Sequence, residues 1–437
     1  MTTNGAARRV SQFTLDNGLR LVSAPAATPQ VAAVNLWYGV GSRHERPGRT
    51  GFAHLFEHLM FQGSGNVAKG EHFDAVERLG GDINASTSTD RTNYYETVPE
   101  HALDLVLWLE ADRLATLREG MSQEVLDNQR DVVKNERRQR YDNQPYGTAL
   151  ERILRLGYPE GHPYHHSTIG SMADLDAADL DYVLSFHGRH YGPDNAVLTV
   201  VSNLDPADVR DRVERYFGAI PARPSAAEAP DAALTGPIGG PVRDHVVEAV
   251  PAPGVFLGYR TAPYGERDFD VLHLASAVLG QGQGSRLYRR LVLERGLAAD
   301  DGGAAADLLP FRYTPSLMLV NMIAREGVSG DDLEAAMIEE TEKLAEGVTD
   351  EELERARAVL ERDHLQTLSH PSGLADSISA CTQLFGDPEL AYTWPRRWAE
   401  VTTDDIVDQA KRALVPENML SVRFDPDDTE AGERPAA

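Results

Sequence analysis

Two histidines four residues apart, with a glutamate between them, are the residues most capable of chemistry: His54-Leu-Phe-Glu57-His58. On a helix, positions i and i+4 share a face, and Glu57, at i+3, lies on the same side. Neutral imidazoles suit zinc, and a catalytic zinc takes three protein side chains and keeps one position open. An acid beside such a site that is not itself a ligand can work as a general base, the arrangement of H-x-x-E-H hydrolases. The neighbours Leu55, Phe56, Leu59, Met60 and Phe61 make this helix apolar on nearly every side. A glutamate and two histidines buried there are costly unless a cation joins them, which weighs against an ordinary polar helix face.

The third ligand must come from elsewhere. Residues 122–140 predict a helix with an inward stripe of Val125, Gln129, Val132, Val133 and Glu136, spaced i, i+4, i+7, i+8 and i+11. An acid, Glu136, thus sits on the face that should enter the core, while Glu124, Asp127 and Asp131 fall on solvated sides. The metal reading makes Glu136 the third ligand; the competing reading pairs it with a buried arginine such as Arg137. With zinc as Lewis acid, Glu57 takes the proton of the attacking water and delivers it to the leaving amine.

Several elements must position these groups. Phe13 to Val22 alternates as a hairpin around Asn17-Gly18. Val31 to Tyr38 is a buried strand, and Thr50 can cap a helix running from Phe52 to Met60. Further helices are predicted over 71–79, 102–117, 122–140 and 206–217, with extended segments in 82–97 and 195–201. Residues 219–243, rich in Pro, Ala and Gly, read as a linker between domains at 1–218 and 244–424. Residues 425–437 read as a disordered acidic tail.

The second domain looks like a worn copy of the first. Val34-Asn-Leu-Trp-Tyr-Gly39 matches Val255-Phe-Leu-Gly-Tyr-Arg260, and His54 to Gly63 matches His273 to Gly282. Ser276 then stands where Glu57 stood and Ala277 where His58 stood, so the second copy lacks the metal motif.

Composition excludes other classes. Lys plus Arg is 42 and Asp plus Glu is 68, a formal charge of −26. Such a chain is repelled by nucleic-acid phosphates and anionic lipid, so neither is an expected partner. One cysteine, Cys381, rules out an intrachain disulfide or a thiolate metal cluster and reads as a small core residue. The first ten residues hold no signal-like apolar run, and no stretch reads as a membrane span, so a cytoplasmic location is expected.

Four segments carry a family resemblance: Gly51 to Ser64, Gly80 to Ser88, Val132 to Arg137 and His190 to Leu198. With them the chain resembles the pitrilysin family of zinc peptidases, in particular short bacterial members related to mitochondrial processing peptidase subunits. The resemblance spans about Phe13 to Phe424. It implies an α+β fold of two duplicated domains, each a mostly antiparallel sheet with helices packed on one face. It implies one Zn2+ per chain, held by His54, His58 and Glu136, with Glu57 as catalytic base. It also implies that Asn84, Ala85 and Ser86 lie on an edge strand to which a substrate peptide adds by main-chain hydrogen bonds.

Two positions depart from the family pattern. Gln129 replaces an acid two helical turns before Glu136, which gives a neutral side chain in the shell around the ligands. An Arg and a Tyr that grip substrate in active relatives, seven residues apart, are here Val292 and Ala299. The chain therefore resembles the zinc-bearing subunit of a heterodimer whose non-identical partner supplies that pair, with a homodimer as the alternative. The competing function is a non-catalytic assembly subunit. His162, His165 and His166 read as loop residues held by packing or solvent, and Arg286, Arg289 and Arg290 as a helix surface or subunit contact rather than a phosphate site.

Overall fold

The computed structural model describes residues 10–223, 233–300 and 305–427. The strands of the first half are β1 (Ser11–Thr14), β2 (Arg20–Pro25), β3 (Val31–Tyr38), β4 (Asp82–Thr87), β5 (Thr92–Pro99) and β6 (Ala196–Ser202). Those of the second are β7 (Val242–Glu248), β8 (Gly254–Arg260), β9 (Ala305–Leu309), β10 (Leu317–Ile323) and β11 (Met419–Pro426). Helices of the first half are α1 (Phe52–Leu59), α2 (Glu71–Glu77), α3 (Leu103–Thr116), α4 (Gln123–Arg137), α5 (Ala149–Gly157), α6 (Met172–Asp176), α7 (Leu180–His190) and α8 (Pro206–Phe217). The second half adds α9 (Arg267–Gly280), α10 (Gly330–Glu342), α11 (Asp350–Ser369), α12 (Pro371–Phe385), α13 (Leu390–Ala399) and α14 (Thr403–Ala413).

Among the described residues the strands form two sheets, ordered β1-β2-β6-β3-β5-β4 and β7-β11-β8-β10-β9. The duplication is visible strand by strand. β2 lies parallel to β6 as β7 does to β11, and every other neighbouring pair is antiparallel. The halves also share a turn. Asn195 Nδ2 donates to His190 O at 2.8 Å just before β6, and Asn418 Nδ2 donates to Ala413 O at 2.7 Å just before β11.

The chain divides into two compact units, one around each sheet, and the division falls at the C-terminal end of α4. Each unit also includes a piece of the other half: 364–394 belongs with the six-stranded sheet and 136–167 with the five-stranded sheet. In the first unit, Glu96 on β5 lies 4.0 Å from Arg113 of α3, while Asn93 Nδ2 donates to Asp376 Oδ1 of α12 at 2.8 Å. Residues 93 and 96 point to opposite faces of a strand. To the expected layer of helices on one face, α12 therefore adds a cover on the other. That is why β3 and β6 are apolar along nearly their whole length and buried throughout, apart from half-buried Val31. In the second unit, Ile153 and Leu154 of α5 pack in one core with Leu420, Val422 and Phe424, which alternate along β11 and so share a face.

The Asn17-Gly18 hairpin is present, with Gly18 at φ 91° and Ser11 to Thr14 paired antiparallel with Ser23 to Arg20. The segment expected as linker contains the start of β7 at Val242; its residues 224–232 lie outside the described residues. Of the tail expected to be disordered, Asp425 and Pro426 complete β11, because they pair with Val247 and Glu248, and 428–437 lie outside the described residues. No described helix is long and apolar enough to cross a membrane.

Candidate metal centre

Helix α1 begins abruptly. Gly51 takes φ 85°, and a Cβ there would come within 2.6 Å of the Ile169 carbonyl oxygen, so only glycine fits. The expected Thr50 cap is not what holds the first turn. The buried Glu45 carboxylate accepts from Gly51 N at 2.9 Å and from Ala53 N at 2.7 Å, a charge placed favourably at the helix N-terminus. Thr50 instead gives its hydroxyl and its amide to Asp174 Oδ2, at 2.6 and 2.9 Å. Behind α1, Phe56 stacks on Tyr191 with ring centroids 4.7 Å apart and on His187 at 5.4 Å.

His54 and His58 project from α1 with ring centroids 4.8 Å apart. One ligand atom of each, and one carboxylate oxygen of Glu136, all lie within 4.8 Å of one another. Among the described residues this is the one such group of three or more His, Cys, Asp or Glu side chains. All three are half-buried. Two imidazoles and a carboxylate are a donor set that fits zinc and leaves room for a further ligand.

Glu136 is carried by α4, a continuous helix through Arg137. The inward stripe differs from expectation by about one residue. Leu126, Gln129 and Val133 are buried, Val125 is half-buried and Val132 is 42% exposed. Leu126 replaces Val125 as the anchor of the stripe, which turns Val132 outward and leaves Glu136 beside α1. Arg137, the residue of the competing pairing, sets its guanidinium against both oxygens of Glu151 at 2.9 Å. Glu136 Oε1 lies 2.8 Å from Arg140 Nη1, but Arg140 is 74% exposed, and a pair of that kind is worth under about 1 kcal/mol. Beyond Arg137 the predicted helix continues as a π-helical turn, Arg138–Asp142. Gln129 is buried two turns before Glu136, and its Nε2 donates to Asn128 Oδ1 at 2.9 Å.

Glu57 is held from the sheet: Thr87 Oγ1 donates to Glu57 Oε2 at 2.5 Å. Thr87 ends β4, the open edge of the six-stranded sheet. Asn84, Ala85 and Ser86 lie on that edge strand. Ser88 N donates to Arg91 O at 2.8 Å, which fixes the alternation of the hairpin. Ser86 and Asn84 therefore bond across to β5, while the main chains of Ala85 and Thr87 face the open side. The outward amide of Ala85 is covered by its neighbour, Asn84 Oδ1, at 2.8 Å. The other sheet repeats this at its own edge, where Leu308 N on β9 donates to Asp307 Oδ1 at 2.8 Å.

Arg91 pins β4 from behind, donating to Ser86 O at 2.7 Å and Asn93 Oδ1 at 2.9 Å. Burial lowers the Arg91 pKa, and the carboxylates of Asp376 and Glu57 oppose that shift. Burial likewise raises the pKa of Asp376 against the pull of Arg91. Sequence reasoning did not single out Glu45, Thr87, Arg91 or Asp376. Strand alternation alone could have placed Thr87 on the same face as Ala85, but nothing in it pointed to α1.

His162 stacks on Tyr158 at 5.0 Å and His165 Nδ1 lies 2.7 Å from Tyr158 O. Cys381 is buried on α12, and Arg286 pairs with Glu352 at 2.6 Å. Val292 is buried in the π-helical turn Tyr288–Glu294, and the Ala299 amide donates to Ile323 O at 2.9 Å.

Comparison with known proteins bears on the family and the fold. Residues 20–167 match the family model described as insulinase, peptidase family M16, and residues 177–360 match the one described as peptidase M16 inactive domain. The zinc protease PqqE of Helicobacter pylori is 30% identical over 90% of this chain and 88% of its own length. An uncharacterized zinc protease of Mycobacterium leprae is 32% identical over 75% of each chain. The crystal structure of a protease from Helicobacter pylori superposes with a TM-score of 0.88 at 28% identity, covering 95% of this chain and 99% of that one. A peptidase M16 inactive domain structure from Pseudomonas fluorescens, at 18% identity, has the same fold, with a TM-score of 0.84 over 96% of this chain and 98% of that one. In sequence, duplicated topology and grouping of His54, His58 and Glu136, the chain belongs to peptidase family M16, the insulinase or pitrilysin family of zinc peptidases.

Proposed function

We propose that the chain is a zinc-dependent endopeptidase for peptides or unfolded protein segments, and the zinc-bearing subunit of a heterodimer. The observation that carries the reading is the grouping of His54, His58 and Glu136 within 4.8 Å, with Glu57 on the same helix as the histidines. Those three side chains would hold one zinc ion. Zinc, when bound, supplies a Lewis acid that makes a water acidic near neutral pH and polarises a peptide carbonyl. Glu57 takes the proton of the attacking water and returns it to the leaving amine. Asn84, Ala85 and Ser86 receive the substrate as an added strand, Ala85 through its outward amide and carbonyl once the Asn84 side chain swings aside. Gln129 supports the ligand helix without adding charge beside the ligands.

The partner supplies what Val292 and Ala299 do not. Neither side chain can donate a hydrogen bond to a substrate carbonyl, so a non-identical homologous subunit with Arg and Tyr at those positions completes the grip. Elemental analysis of the purified chain should find one zinc per chain. Cleavage of a quenched peptide library should then be abolished by chelation and should rise strongly when the partner is added. A chain that binds no zinc would end the peptidase reading. A chain as active alone as in the reconstituted pair would end the heterodimer reading. The apolar Val292 and Ala299 also favour a second reading, a non-catalytic assembly subunit; it predicts bound zinc with no cleavage in either preparation.

A further inference from the structure

Thr87 stands out because it serves the two sides of the site at once. Its main chain faces the open edge of β4, and its hydroxyl reaches Glu57 Oε2 at 2.5 Å. The side of the strand it uses is fixed by pairing. Thr87 lies opposite Thr92 and Ala85 opposite Tyr94, so these side chains share one face. Asn84 and Ser86, opposite Tyr95 and Asn93, share the other. A shift of β4 by one residue would turn Thr87 away from α1. Arg91, bonded to Ser86 O and Asn93 Oδ1, resists that shift.

We infer that Thr87 is the positioning residue for Glu57: its hydroxyl holds Oε2 and so sets the orientation of the carboxylate. This inference rests on the peptidase reading of Glu57. A glutamate has three rotatable side-chain bonds, and on a short helix it samples several rotamers unless something restrains it. A charge-assisted bond from a β-branched residue on a strand supplies such a restraint. The pairing also links two events. A peptide that adds to the edge stiffens the strand that holds the base, so the base is best ordered when substrate is in place.

The test compares Thr87→Val, which keeps the shape and strand preference, with Thr87→Ser, which keeps the hydroxyl. Both are assayed as full chain with partner subunit on an internally quenched peptide. Thr87→Val should lower kcat by about 10- to 100-fold, the size of effect expected for a misplaced catalytic group, with KM and zinc content unchanged. Thr87→Ser should recover most of the loss. In a Glu57→Gln background, Thr87→Val should cost nothing further, because residues acting through one another are not additive. A structure of the zinc-free Thr87→Val chain should show Glu57 in more than one rotamer, against one in the unsubstituted chain. An unchanged kcat, a serine variant as poor as the valine one, or a single Glu57 rotamer in Thr87→Val would overturn the inference. If the unsubstituted chain binds zinc but cleaves nothing, the peptidase reading fails, and the rotamer comparison still decides whether Thr87 orders Glu57.

Discussion

Helices α1 and α9 occupy the same place in two copies of one strand topology, α1 between β3 and β4 and α9 between β8 and β9. They have settled their polar groups in opposite ways. On α1, His54, Glu57 and His58 reach outward to a carboxylate on α4 and a hydroxyl on β4. On α9, His273 keeps its imidazole, with Nε2 3.9 Å from Asp307 Oδ1 on β9, while the other two positions are fully buried. Ser276 Oγ donates to the carbonyl of His273 in its own helix at 2.8 Å, and Ala277 has no polar side-chain atom at all. The end of α9 is closed by Arg355 of α11, which donates to Ala277 O and Gln281 O at 2.8 Å, a cation at a helix C-terminus. The copy without the metal motif closes Ser276 within its own helix, whereas the copy with it directs His54, Glu57 and His58 at one another and at neighbouring elements.

Four experiments can break or sharpen this contrast. The largest effect is expected at Glu57. Glu57→Gln should cut peptide turnover by about 10³-fold while one zinc per chain remains, measured by steady-state kinetics and elemental analysis. Loss of zinc in that variant would mean that Glu57 is a ligand rather than a base. Second, Glu136→Gln should weaken zinc binding by more than the roughly 100-fold typical of losing an outer partner, read by chelator competition. Retained affinity would remove α4 from the site and leave the α1 pair on its own.

Third, Ser276→Glu would place an acid at a fully buried position of α9. It should lower unfolding stability by about 3 kcal/mol and bind no metal, as read by urea denaturation. A neutral outcome would show that α9 has room for a charge and that the two helices differ less than their surroundings suggest. Fourth, acid should act on the packing behind α1. Burial pushes the His187 pKa down to about 3, with Arg223 and Arg118 adding to it, from an ordinary 6.5. The folded pKa lies below the unfolded one, so this contribution is complete above about pH 6.5 and is lost as pH falls toward 3. Between pH 7 and pH 5 it should remove about 2 kcal/mol, and His187→Phe should flatten that slope while keeping the stack on Phe56.

Much of the contrast could be read from residue order. The spacing of His54, Glu57 and His58 is a local property of one helix turn, and the substitutions at Ser276 and Ala277 follow once the halves are aligned. The Asn17-Gly18 hairpin, β3 and α8 were equally legible, because turn chemistry and periodicity act over a few residues. Glu136 was harder. Its stripe was read with Val132 inside, where the structure buries Leu126 instead, since an amphipathic pattern fixes a helix rotation only to within about one residue. Thr87 was not legible, because it meets Glu57 thirty residues away and only the folded sheet closes that gap, while Glu45 and Arg91 act locally in loop and hairpin geometry that no periodic pattern reports. The repeated turns, Pro193-Asp-Asn195 and Pro416-Glu-Asn418, were present in the sequence as a signal and mark the duplication more firmly than the apolar matches do.

The traded helices carry a last consequence. Cys381 and Asp376 ride on α12 in the first unit, and Ile153 and Leu154 ride on α5 in the second, so neither half of the gene encodes a whole unit. Two separately expressed halves would therefore each lack a segment that its own sheet packs against. The second half, though it lacks the metal motif, still supplies the helix that covers the sheet beside the metal site.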